Sequence, residues 1–219
     1  MDIRQMLGKR RLFLDGGTGT SLQKMGLRPG EQPETWNILH PERIESLHRA
    51  YLDAGADIIY TNTFGANRLK YPADGEFPLE EVVKSAVNIA KSARKACGRE
   101  ENSWVALDIG PSGKLLKPLG DLDFEDAVSL FAEVVRYGSE AGADLVVIET
   151  MGDSYELKAA VLAAKENSAL PIIATAAYDE KARLLTGGTP ESVIALLEGL
   201  GVDALGLNCG LGPAEMLPI

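Results

Sequence analysis

The 219-residue sequence contains only two cysteines, Cys97 and Cys209, and two histidines, His40 and His48. Two thiols do not make a disulfide framework, which fits a reducing, cytoplasmic setting. Two imidazoles leave out most histidine-rich metal motifs. Basic charge is also scarce: 22 Lys and Arg stand against 32 Asp and Glu, for a formal charge of −10. With no basic run to offset it, such a surface repels phosphodiester backbones and anionic headgroups, which argues against nucleic acid and membrane surfaces as partners. No apolar run approaches the roughly 20 residues of a membrane span. The apolar stretch after "MDIRQMLGKRR" is too short for a signal peptide. Linkers and low-complexity segments are missing as well, so one domain over residues 1–219 is expected.

What the sequence does contain is a repeated grammar. "AGAD" occurs at 54–57 and 141–144, and "LGVDAL" at 200–205 is a looser copy. Each follows a helical pattern and precedes an apolar run, with the glycine suited to the left-handed position that closes a helix. Six apolar runs read as strands buried on both faces: 11–17, 57–65, 104–111, 145–151, 171–178 and 204–210. Amphipathic segments lie between them. "PERIESLHRAYLDAG" puts Ile44, Leu47, Tyr51 and Ala54 on one stripe behind Pro41 at a first helical position. "TPESVIALLEGLG" opens on a Thr189 cap. Regular strand–helix alternation means βαβ units with right-handed crossovers. "DGGTGTSLQ" has the wrong glycine spacing for a dinucleotide fingerprint, so a (β/α)8 TIM barrel is favoured over a doubly wound sheet. A full barrel takes about 250 residues. Six units in this length predict a barrel truncated after about six βα units and incomplete at its C-terminus.

Ligands bind at the carboxyl ends of strands in such folds. Those ends supply Asp15 with Gly16 and Gly17, then Thr61, Asn62 and Thr63, Asp108, Glu149 and Thr150, Tyr178, and Asn208 with Cys209. The set is acidic and holds no lysine or arginine, so the mouth suits an ammonium or a metal ion. Glu149 closes the run "LVVI", where a carboxylate is costly to bury unpaired. Asp15 and Asp108 also read as turn or loop caps, and the "TNTFGAN" segment also reads as polar punctuation. Cys97, His40 and His48 read as structural, and none is placed to activate Cys209. Cys209 follows a strand end and reads as a ligand for a soft metal. An alternative uses Asp15, Asp108 and Glu149 to hold a hard divalent ion for lyase or hydrolase chemistry. A non-catalytic fragment is a third reading.

At these residues the sequence resembles the homocysteine S-methyltransferases, most of all the amino-terminal homocysteine-binding barrel of corrinoid-dependent methionine synthases. The resemblance rests on "LDGGTGTSLQKMG", "PETWNILHPERIESLHRAYLDAGADIIYTNTFGANRLK", "DIGPSGKLLKPLG", "IETMGDSYELKAAVLAAKE", "LTGGTP" and "GLNCGLGP", in the family's order. It implies homocysteine as substrate, with Asp15 and Glu149 on its ammonium. Amides around Gly16, Gly17 and Thr18 would take its carboxylate, and Asn62 and Asn208 would shape the pocket. It also implies zinc on three thiolates, of which Cys209 matches one. The paired cysteines that follow two glycines in the family have no counterpart here. Methylcobalamin on another domain or protein is the methyl donor in the corrinoid enzymes, which makes a corrinoid protein an expected partner. An open barrel edge predicts self-association.

Overall fold

The structure, a computed structural model, describes residues 2–219. Five parallel strands form one sheet in the order of the chain: β1 (Ile58–Tyr60), β2 (Trp104–Ile109), β3 (Leu145–Met151), β4 (Ile172–Ala176) and β5 (Ala204–Leu207). A parallel sheet whose neighbours are always consecutive, with crossovers of one hand, carries all its helices on one face. That is barrel winding; a doubly wound sheet would reverse its strand order. The helices confirm it by packing in series along the outside: α3 (Pro41–Asp53), α4 (Leu79–Ala96), α5 (Phe124–Ala141), α6 (Ser154–Asn167) and α7 (Pro190–Leu200).

The period of two along each strand divides the core in two. Outward residues such as Val105, Leu107, Ile109, Val146, Ile148 and Ala174 pack beneath the helices. Inward residues Ile58, Trp104, Ala106, Leu145 and Val147 form a second cluster on the concave face, together with Ile3. Ile3 lies in a 3-10 turn, Ile3–Gln5, and its side chain is 1% exposed. The N-terminal turn therefore plugs the bottom of the interior. The interior changes character with height. Ile58 gives way to Tyr60, Ala106 to Asp108, Val147 to Glu149 and Ile173 to Thr175, two residues further along each strand. Apolar below and polar above, this alternation sets the site at the carboxyl ends.

Helix ends follow their sequence signals. Pro41 opens α3, and Thr189 caps α7 in a reciprocal capping box with Ser192. Gly55, Gly142 and Gly201 all have positive φ, at 103°, 87° and 65°, and each ends a helix before the next strand.

Several sequence expectations need correction, and the runs 57–65, 104–111 and 204–210 are strand only over Ile58–Tyr60, Trp104–Ile109 and Ala204–Leu207. The run 11–17 is not a buried strand: it makes one parallel bridge, Leu14 to Ile58, and Phe13 and Leu14 are exposed. It lies outside β1 with no second neighbour, so only Leu12 gains partial cover, against the inner cluster. The strand at 171–178 ends at Ala176, which makes Thr175 its last inward residue in place of Tyr178. On the α3 stripe, Ile44 and Leu47 are buried, Tyr51 is half-buried and Ala54 is exposed as the helix closes. Three short helices were not anticipated: α1 (Thr18–Lys24), α2 (Trp36–Leu39) and α8 (Pro213–Met216).

Candidate functional site

A cavity of about 470 Å³ opens at the carboxyl ends of the strands, within the ~300–1,000 Å³ usual for small-molecule sites. Its wall contains Tyr60, Asp108, Glu149 and Thr175, inward residues near the ends of β1 to β4, and Asp15, which follows the Leu14 bridge to β1. Gly16, Gly17, Thr18 and Gly19 line one side, Asn62 and Phe64 another, and Leu207 with Asn208 a third. Of the residues expected from the sequence, Asp15, Gly16, Gly17, Thr18, Asn62, Glu149 and Asn208 all meet here. Cys209 does not line the cavity: it is exposed on the turn after β5, with φ 62°.

Asp15 is fixed by the Leu14–Ile58 pairing. Its N–H donates to Ile58 O at 2.9 Å, and its Oδ2 accepts from Tyr60 N–H at 2.8 Å. The chain then bends tightly. A Cβ at Gly16 would come within 2.9 Å of Tyr51 Oη, whose hydroxyl donates to Gly17 O at 3.1 Å. Close backbone approach thus requires glycine at position 16. It also presents the amides at the start of α1, where N–H groups have no partner within the helix.

Glu149 is held from β5. Asn208 Nδ2 donates to Glu149 Oε2 at 2.6 Å and to Thr150 Oγ1 at 2.9 Å. Asn208 Oδ1 accepts from Thr150 N–H at 2.9 Å and from Thr175 Oγ1 at 2.8 Å. One asparagine therefore links β3, β4 and β5 and holds Thr150 at φ 59°, a left-handed conformation that costs a non-glycine residue energy. Asn62 is structural in the same sense. Its Nδ2 donates to Pro33 O at 2.8 Å and Asn37 Oδ1 at 2.9 Å, pinning the strand end to α2 and to the 3-10 turn before it.

Glu34 and Thr175 belong to the wall and were missed by sequence reasoning. Thr175 was legible by counting in twos from Ile173. Glu34 sits in the "PETWN" loop, where no strand-end rule applies; its Oε1 accepts from Gly65 N–H at 2.6 Å and its Oε2 from Tyr71 Oη at 2.9 Å.

No lysine or arginine lines the cavity. Burial pushes the Asp15 carboxyl up to about 7, against the Tyr60 N–H bond, and the nearby Glu149 charge adds to the rise. Burial likewise raises Asp108 well above the carboxylate range, reinforced by Glu149, Asp15 and Glu34. Glu149 is raised by burial and partly offset by Asn208. Carboxyls that share a cavity without a counter-charge resist ionising together.

Their linkage to stability has a definite sign. A carboxyl with a raised folded pKa binds its proton more tightly when folded, so its contribution is full at low pH and fades as pH rises through the folded value. His48 acts oppositely: it is buried, neither ring nitrogen has a partner among the described residues, and burial lowers it to about 4. Its contribution is complete above its unfolded value of about 6.5. Above that pH the carboxyls act alone. The urea midpoint of the unliganded protein is expected to fall between about pH 6.5 and 8. A midpoint that rises across this window discards the assignment.

Among the described residues no group of three or more His, Cys, Asp or Glu side chains is placed to hold a metal ion. Asp15, Asp108 and Glu149 share a cavity without forming a ligand set, which counts against the hard-metal reading. Cys97 lies at the end of α4, half-buried against the outer core, far along the chain from Cys209.

Comparison with known proteins agrees with this geometry. The family described as homocysteine S-methyltransferase matches residues 12–219. Methionine synthases of Mycobacterium leprae and Mycobacterium tuberculosis are 30% and 31% identical over 98% of the chain. The chain spans about a fifth of the length of each, 19%. Among solved structures, the metallated form of the homocysteine methyltransferase MmuM from Escherichia coli superposes with a TM-score of 0.85 and 25% identity. That match covers 98% of this chain and 80% of the other.

Proposed function

Since the chain belongs to the homocysteine S-methyltransferase family, we propose that its cavity binds homocysteine for transfer of a methyl group to the thiol, giving methionine. The observation that supports this best is the carboxyl-lined, cation-free wall beside the glycine-bracketed amides. An α-amino acid presents one positive and one negative group on adjacent bonds, and the wall offers both complements. Asp15 and Glu149 accept from the ammonium. The amides of Gly16, Gly17 and Thr18 receive the carboxylate, and successive backbone N–H groups suit an anion. Asn208 and Asn62 act through their neighbours, the first by orienting Glu149 and the second by fixing the strand end.

Methyl transfer forms a carbon–sulfur bond, releases the demethylated donor and sets free the thiol proton. A thiolate attacks far better than a thiol, and zinc, where bound, would lower the thiol's pKa so that its proton leaves to solvent. The residues present do not fit a zinc ion by themselves. Cys209 offers one thiol, and no other metal-binding group of the required size lies with it among the described residues. Cys209 would supply one thiolate of a larger zinc ligand set. The methyl donor, methylcobalamin on a corrinoid domain or another donor, would approach from the open mouth. The arc of strands is also open at its sides. Leu14 and Leu205 are 47% and 39% exposed there, which supports self-association through these edges.

Calorimetric titration with homocysteine tests the reading. An ammonium draws the carboxyls into their ionised forms, so binding releases protons and tightens as pH rises through about 7. Comparing heats in two buffers of different ionisation enthalpy measures that release. Binding accompanied by proton uptake, or no binding at any pH, discards the proposal.

A further inference from the structure

Asp108 is the one carboxyl of the wall that the protein leaves unsatisfied. It is 6% exposed, and its Oδ1 has no hydrogen-bond partner among the described residues. Its place on β2, two residues beyond the inward Ala106, puts the side chain on the concave face where it lines the cavity. A buried polar atom without a partner costs stability and calls for a reason. The neighbouring acids are different. Asp15 already accepts from Tyr60, and Glu149 from Asn208, which leaves each a second oxygen. Glu34 has a donor on each oxygen. The wall thus offers unfilled acceptor capacity on three side chains: Asp15, Asp108 and Glu149.

A primary ammonium carries three N–H donors. We propose that Asp108 is a third acceptor for the substrate's ammonium, so that the cavity selects a primary ammonium over N-alkylated amines. This rests on the reading of the site as an amino-acid pocket. With two acceptors the third N–H could point to solvent, and a methyl group there would be tolerated. With three acceptors a methyl group displaces one hydrogen bond and leaves Asp108 buried beside carbon. Rejection of this kind is strong because the site's own polar group is stranded.

The test titrates the protein and its Asp108→Asn and Asp108→Leu variants with homocysteine, N-methylhomocysteine and 4-mercaptobutanoate, which lacks the amine. Wild type should bind homocysteine at least about tenfold tighter than the N-methyl compound, the scale of one hydrogen bond to a charged group. Both variants should lose about tenfold or more for homocysteine, shrink that discrimination and leave 4-mercaptobutanoate unchanged. Because Asp108 has no partner on Oδ1, neither variant should lower the thermal midpoint. Unchanged homocysteine affinity in both variants overturns the role of Asp108 while leaving the pocket intact. Equal losses for homocysteine and 4-mercaptobutanoate overturn it too, by showing a general structural effect. Failure of wild type to bind homocysteine overturns the amino-acid pocket and this inference with it.

Discussion

Glu149→Gln is expected to weaken homocysteine binding by about 1.5–3 kcal/mol, roughly 10- to 150-fold, the worth of a hydrogen bond to a charged group. The substitution is sharp because it spares the scaffold. Asn208 Nδ2 donates to Glu149 Oε2, and a glutamine carbonyl accepts the same bond. What disappears is one negative charge and, with it, the partner for an ammonium. The same change should stabilise the unliganded protein near pH 7, since burial holds the Glu149 carboxyl above its ordinary range and a neutral amide avoids that cost. Opposite movements of affinity and thermal midpoint are the signature, a local case of activity opposing stability. Glu149→Ala would confuse the two, because it takes the acceptor from one N–H of the Asn208 amide. Titration and thermal melting of Glu149→Gln side by side decide the matter; an unchanged affinity removes Glu149 from the ammonium site.

The second large effect lies in the outer core. Leu107, fully buried on β2, faces Gly138 of α5, and a Cβ added at 138 would overlap the leucine side chain. Leu107→Ala should cost about 2–5 kcal/mol through lost burial and the cavity left behind. Gly138→Ala should cost about 1–3 kcal/mol by overpacking, more than any gain in helix propensity returns. The pair should not add. Shortening Leu107 clears the space that an alanine at 138 needs, so the double variant should be more stable than the sum of the singles by about 0.5–3 kcal/mol. Urea unfolding of the four proteins measures the coupling. Strict additivity would show that helix and strand move apart instead of repacking.

Much of this architecture could be read from the sequence where burial was two-sided. "WVALDI" and "LVVIETM" have neighbours on both edges and cover on both faces, so their apolar runs translate directly into β2 and β3. "RLFLDGG" looks the same in composition but has one neighbour, and composition does not report neighbours. The strand after Pro171 ended two residues early because apolar character continued past the last ladder bond; only the inward count separates Thr175 from Tyr178. At the site, Asp15, Glu149 and Asn208 were legible as polar residues closing apolar runs. Glu34 was not, since its loop is brought in by the Tyr71 hydroxyl and the Gly65 amide, contacts across more than thirty positions with no local signature. The solitude of Asp108 was equally invisible, because the absence of a partner is a property of the assembled wall.

The N-terminal turn that plugs the barrel bottom also sets an order of events. Arg4 Nε donates to Asp203 at 2.6 Å, a contact spanning 199 positions, and Asp203 in turn accepts from Ile172 N–H at 2.8 Å. Residues 3 and 4 thus find their native partners only once the chain out to Asp203 is in place. Ile3, almost wholly enclosed in the finished interior, must wait while β1 to β4 assemble above it. Contacts of such long sequence separation form slowly. As the chain folds, the floor of this barrel is laid last.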